Sequence, residues 1–183
     1  MADRRVFPTA LAVCGALLLS STGGAQADTF PDNYDKALAD NANHTFCLAG
    51  SFTTDPSVAT YAMNVLDDTT QMYDTRVTDC TSITDVRWRQ TNLAGGLRGQ
   101  RSCNSYNSAG ECESADIEMD FPELDIGSND WYDRRKTAVH ELGHSVGANH
   151  DTVSAMISGG VPSTALQWRR YSPHDIEHIN AAY

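Results

Sequence analysis

Positive charge is scarce in this sequence, and lysine is nearly absent. Lys36 and Lys136 are its only lysines, and 13 Lys+Arg stand against 24 Asp+Glu, a formal net charge of −11. Such a surface repels phosphate backbones, so no nucleic-acid partner is expected. Long apolar runs are missing too. The longest, residues 10–19, falls short of the ~20 residues needed to span a bilayer. No C-x-x-C pair occurs, which argues against a cysteine-held zinc ion. There is no internal repeat and no long linker.

What is present begins with an export layout. Arg4 and Arg5 precede the apolar run, and Ala25-Gln26-Ala27 follows it as an A-x-A cleavage site. Residues 1–27 are expected to be a signal peptide, and residues 28–183 a single domain. Cys14 lies inside the apolar run, not at its end, which disfavours a lipid anchor. Removal of the leader takes two arginines and one aspartate, so the mature net charge is 11 − 23 = −12. The remaining 156 residues can enclose one hydrophobic core. The expected location is secreted, extracellular and free of the membrane after cleavage. A monomer is expected.

Four cysteines remain: Cys47, Cys80, Cys103 and Cys112. An even number in an exported chain predicts two disulfides, with three pairings open. Cys103–Cys112 is favoured because "CNSYNSAGEC" is a turn-rich hairpin loop, which leaves Cys47–Cys80.

Hydrophobic spacing predicts the element order. A short helix is expected over residues 34–42 and a first strand over 44–50. Asp55-Pro56 has the form of a helix start, and apolar residues from Val58 to Tyr73 recur at helical spacing. Residues 85–90 alternate as a half-buried strand. "NLAGGLRGQ" is turn-rich and leads toward a short strand near Cys103. In "ADIEMDF", Ile117, Met119 and Phe121 face one way and Asp116, Glu118 and Asp120 the other. A long helix is predicted over residues 131–146. A last one runs over 173–181, with Ser172 as N-cap, Pro173 first and Asp175 closing a capping box.

The chemistry concentrates in "HELGHSVGANH", where His140, His144 and His150 fall within eleven residues. His140 and His144 are four apart, so a helix puts both imidazoles on one face, one turn apart. They can grip one Zn2+ ion, and Glu141 can reach a water on the metal's open position as general base. Gly147 can end the helix in the left-handed conformation and let His150 return as third ligand. Three imidazoles leave one position open, as in catalytic zinc sites. Ala138 and Gly143 are small enough to let the helix approach its neighbours.

This segment resembles the H-E-x-x-H-x-x-G-x-x-H signature of the metzincin zinc endopeptidases, and matches it at every specified position. Met156 is similar in position to the methionine of their Met-turn, which implies a structural role beneath the ligands. "YSPHDIEHINAAY" is similar to the terminal helix of the matrixin branch, and "ADIEMDF" to a strand before its active-site region. The resemblance implies an α+β fold: a small twisted mixed sheet, two long helices, a zinc cleft and a short C-terminal subdomain ending in a helix. It implies hydrolysis of peptide or protein substrates with Glu141 as catalytic base, His140, His144 and His150 as ligands of one Zn2+, and Gly147 and Met156 as support. The sequence departs from matrixins at Asp151, at Ile157-Ser158 after the methionine, and in lacking their cysteine switch. Two alternatives use the same residues: a catalytically silent zinc-binding recognition module, and a zinc amidase acting on a non-protein amide.

Other features carry less. His174 and His178 repeat the four-residue spacing on the last helix without a base or third ligand, so a solvated face, or packing, is expected. Acidic residues 116–125 leave calcium possible but fit no EF-hand loop. Trp168 to Tyr171 are expected either to wall the substrate pocket or simply to pack. Strand 115–121, if it is an edge, could pair with an extended peptide.

Overall fold

The structure is a computed structural model that describes residues 38–183. The expected leader lies outside the described residues. So does the first part of the helix predicted over 34–42, and its described remainder is not helical: Ala39 instead makes a parallel bridge to Cys112.

The first strand, β1 (Asn43–Leu48), leads to helix α1 (Ser57–Thr69). Asp55 supports the start of α1, since its carboxylate accepts from Ser57 Oγ at 2.6 Å. Val58, Ala59, Ala62, Met63, Val65 and Leu66 form the buried face. The helix stops four residues before the predicted Tyr73. The Thr69 and Thr70 hydroxyls donate to the carbonyls of Val65 and Leu66 at 2.6 and 2.7 Å. Such back-bonding competes with helix continuation. Tyr73–Arg76 then forms β2, a strand not foreseen.

Strands β3 (Val86–Gln90), β4 (Gly99–Tyr106) and β5 (Cys112–Met119) complete a five-stranded sheet of order β2-β1-β3-β5-β4. It is mixed as expected but mostly parallel, with only β4 and β5 antiparallel. Together with α1, α2 (Phe121–Leu124), α3 (Asp130–Ser145) and α4 (Pro173–Ala182) it makes a mixed α/β arrangement. Phe46, Val86, Trp88, Ile117 and Met119 are buried in one core with residues of α1 and α3. The opposite face of the sheet is polar. There Asp116 pairs with Arg87 and Arg89 at 2.8 and 2.9 Å.

Two expectations about strands need correction. The strand that could pair with a peptide if it were an edge is β5, and the condition is not met, because β5 runs between β3 and β4. Its hairpin partner β4 covers it, so β4 is the edge. The strand also ends at Met119, not Phe121. Asp120 caps α2 by accepting from the Glu123 N–H at 3.2 Å, and Pro122 has no N–H for a ladder. The disulfides join Cys47 to Cys80 and Cys103 to Cys112, the second stapling β4 to β5.

Candidate metal centre

Helix α3 begins one residue before the predicted start, with Asn129 O accepting from the N–H groups of Tyr132 and Asp133. Asp130 and Asp133 in its first turn and His144 in its last agree with the helix dipole. Ala138, Val139 and Leu142 are fully buried. Two glycines allow α3 to pack closely on both sides. A Cβ on Gly143 would run into the Met156 side chain and meet Tyr171 Cε1 at 3.0 Å. A Cβ on Gly99, at the start of β4, would lie 2.6 Å from Thr137 Cγ2 and 2.9 Å from Glu141 Cγ.

The helix ends in a Schellman motif. Gly147 has φ +89°, the Ala148 N–H donates to Gly143 O at 3.0 Å, and the Gly147 N–H to His144 O at 3.4 Å. The chain turns back through His150 into a tight loop. The Asp151 carboxylate accepts from the N–H groups of Val153 and Ser154, and Asp151 N–H donates to Met156 O at 3.2 Å. Met156 is fully buried beneath Gly143.

These turns bring His140, His144 and His150 together as a group that could hold a metal ion. His140 Nε2 lies 3.3 Å from His144 Nε2 and 3.2 Å from His150 Nε2. His140 Nδ1 is 2.8 Å from Ala155 O, and His144 Nδ1 is 2.9 Å from Ala148 O. A carbonyl only accepts, so both Nδ1 atoms carry the proton and both Nε2 atoms present lone pairs. Lone pairs facing each other at 3.3 Å repel unless a cation stands between them. Two nitrogens held at ~2.05 Å by a tetrahedral ion would be about 3.3 Å apart, so the donor set fits zinc in number, chemistry and spacing. Burial, with the charge of Lys136 next, pushes the His140 pKa well below its ordinary value, which keeps the ring neutral.

Glu141 is 8% exposed and lies against Gly99. Burial raises its carboxyl to about 7, opposed by Lys136 and by a hydrogen bond from the Arg101 backbone N–H. A cleft of about 1080 Å³ opens above these groups, between β4, α3 and the segment 158–163. Lys136 lines it and donates to Ile157 O at 2.8 Å.

Two segments with open readings take the structural one. Trp168 to Tyr171 do not line the cleft, whose far wall is segment 158–163. Arg169 is buried, with its guanidinium over Trp131 and Tyr132, and Tyr171 OH donates to Val139 O at 3.0 Å. Three aspartates of the acidic stretch have protein partners: Asp116 with Arg87 and Arg89, Asp120 as a cap, Asp125 with Arg134 at 2.6 Å. Sequence reasoning missed Gly99, Lys136 and the edge position of the strand expected near Cys103, which is β4. Lys136 had a readable signal, being four residues before His140 on the same helix face.

No protein-family model and no curated protein matches the sequence. A solved structure titled "Structure of myroilysin" is similar at 19% identity with a TM-score of 0.41, covering 64% of this chain and 57% of that chain. At that overlap the similarity does not bear on the chemistry of the site.

Proposed function

We propose that the chain is a secreted, matrixin-like zinc metalloendopeptidase. The observation that supports this best is the convergence of three imidazole Nε2 atoms, two with Nδ1 fixed by carbonyls, beside a buried carboxylate at the floor of an open cleft. Zinc, when bound by His140, His144 and His150, would supply Lewis acidity toward a peptide carbonyl and make water more acidic.

The protein residues have separable tasks. The carbonyls of Ala155 and Ala148 hold two rings in the tautomer that offers Nε2. Glu141 takes the proton from the attacking water and passes it to the leaving amine nitrogen. Its proton affinity suits that exchange: burial raises it, and the Arg101 N–H keeps the carboxylate oriented. Gly99 leaves room for the carboxylate beside β4. The edge of β4 offers backbone groups to which an extended substrate can add as a further strand.

Glu141→Ala tests the reading. The purified variant is expected to retain one zinc per chain by metal analysis. Its cleavage of casein or a quenched peptide should fall by roughly 10³-fold. Undiminished cleavage would sink the mechanism, and absence of zinc from the wild type would sink the site.

A further inference from the structure

The cleft has a charge balance opposite to that of the chain. Arg98, Arg101 and Lys136 line it, against Asp133 and Glu141, so its formal charge is 3 − 2 = +1 before any metal ion is added. The whole chain carries −11. On the sheet face away from the core Arg87 and Arg89 pair with Asp116, and at the start of α3 Arg134 and Arg135 pair with Asp55 and Asp125.

Lys136 has the most informative position. Lys136, His140 and His144 recur every four residues on α3 and form one stripe. Their successive Cβ atoms therefore lie about 6 Å, one turn, apart, and all three residues line the cleft. The Lys136 ammonium donates to Ile157 O at 2.8 Å. An ammonium has three N–H donors, so that bond leaves two for the cleft. Arg98, the residue before β4, lines the same space, its Nη1 4.0 Å from Asp133 Oδ2 and its side chain 41% exposed. A strand rises ~3.3 Å per residue, so a side chain one or two residues from the bond being cut reaches this pair.

We infer that Lys136, assisted by Arg98, makes the cleft selective for a peptide carboxylate within two residues of the scissile bond. That carboxylate is either an aspartate or glutamate side chain or the substrate's free C-terminus. The inference rests on the peptidase reading above and names its substrate class. Lys136 is a specificity residue here; it takes no part in bond cleavage.

The test uses one peptide scaffold with Glu, Gln or Lys scanned through the four positions around the cleaved bond, all with amidated C-termini. A Gln peptide with a free C-terminus separates the two sources of carboxylate. Wild-type kcat/KM is expected to be about tenfold higher for a carboxylate peptide than for its amide counterpart, and to lose that ratio in high salt. Lys136→Glu should invert the ratio in favour of the Lys peptide, Lys136→Arg should retain it, and Arg98→Gln should reduce it. Binding of the same peptides to chelator-treated protein, read by fluorescence anisotropy, should rank them in the same order without turnover. Cleavage with equal rates for Glu and Gln peptides would overturn the inference, as would an unchanged ratio in both Lys136→Glu and Arg98→Gln. Tighter binding of the carboxylate peptides with no cleavage would remove the peptidase reading and leave the preference standing.

Discussion

Helices α3 and α4 each carry two histidines four residues apart, and they differ in everything except the spacing. On α3 the His140 and His144 rings are 4.8 Å apart between centroids, with Nε2 atoms at 3.3 Å and both Nδ1 atoms tied to carbonyls of the loop that follows. On α4 the His174 and His178 rings lie closer, at 4.1 Å, tilted by 55° on half-buried positions of the terminal helix. Among the described residues only the first pair has a third histidine within reach. Spacing gathers imidazoles; orientation by carbonyls and a chain reversal that delivers another ligand make them a site.

The largest expected effect comes from breaking the first pair. His144→Ala should lose stoichiometric zinc by metal analysis and lower peptide cleavage by roughly 10³-fold or more. A variant that keeps one tightly bound zinc would remove the distinction between the helices.

His44 sharpens the contrast as a buried histidine outside the triad. It hydrogen-bonds Ser145 Oγ at 3.0 Å, and burial, aided by Arg101, lowers its pKa from 6.5 to about 4. Between those values the unfolded chain binds a proton that the folded chain excludes. Stability therefore rises with pH across that window, and the penalty is complete below about pH 4. The size is about 3 kcal/mol at full expression. Urea unfolding of chelator-treated wild type and His44→Gln at pH 7 and 4.5 should show a smaller loss in the variant. Parallel losses would contradict it.

Smaller effects are expected where the chain must bend or pack to bring the ligands together. Gly143→Ala should destabilise by ~1–3 kcal/mol, because Met156 and Tyr171 must move. Gly147→Ala forces alanine to φ +89°, which costs about 1–2 kcal/mol. Chemical denaturation measures both, and the second should also weaken zinc binding by displacing His150. The smallest effect belongs to the second helix. His178→Ala should change zinc content not at all and cleavage by less than about twofold; a larger loss of either would give α4 a role it lacks here.

The centre of the site was readable because its determinants are local. His140, Glu141, His144 and Gly147 act through helix periodicity and one left-handed residue, both properties of adjacent positions. The capping box at Ser172 and Asp175 was legible for the same reason. What escaped depends on partners distant in sequence. The Gly99 segment looked like a turn, yet it lacks a side chain so that β4 can lie against Thr137 and Glu141. Strand β2 is a four-residue edge with no buried position, so it has no alternation to read. The edge status of β4 follows from strand order, which no local pattern encodes.

The four-residue repeat of Lys136, His140 and His144 also decides where the sequence can change length. One residue inserted between Lys136 and His140 would rotate the ammonium by about 100° relative to the imidazoles and carry the buried face of α3 out of register. Inserted within residues 158–162, it would only lengthen a largely exposed wall anchored at Ile157 and at buried Ser163. Variation in length is thus expected to collect in that wall, so that the cleft can be reshaped while the helix stays fixed in frame.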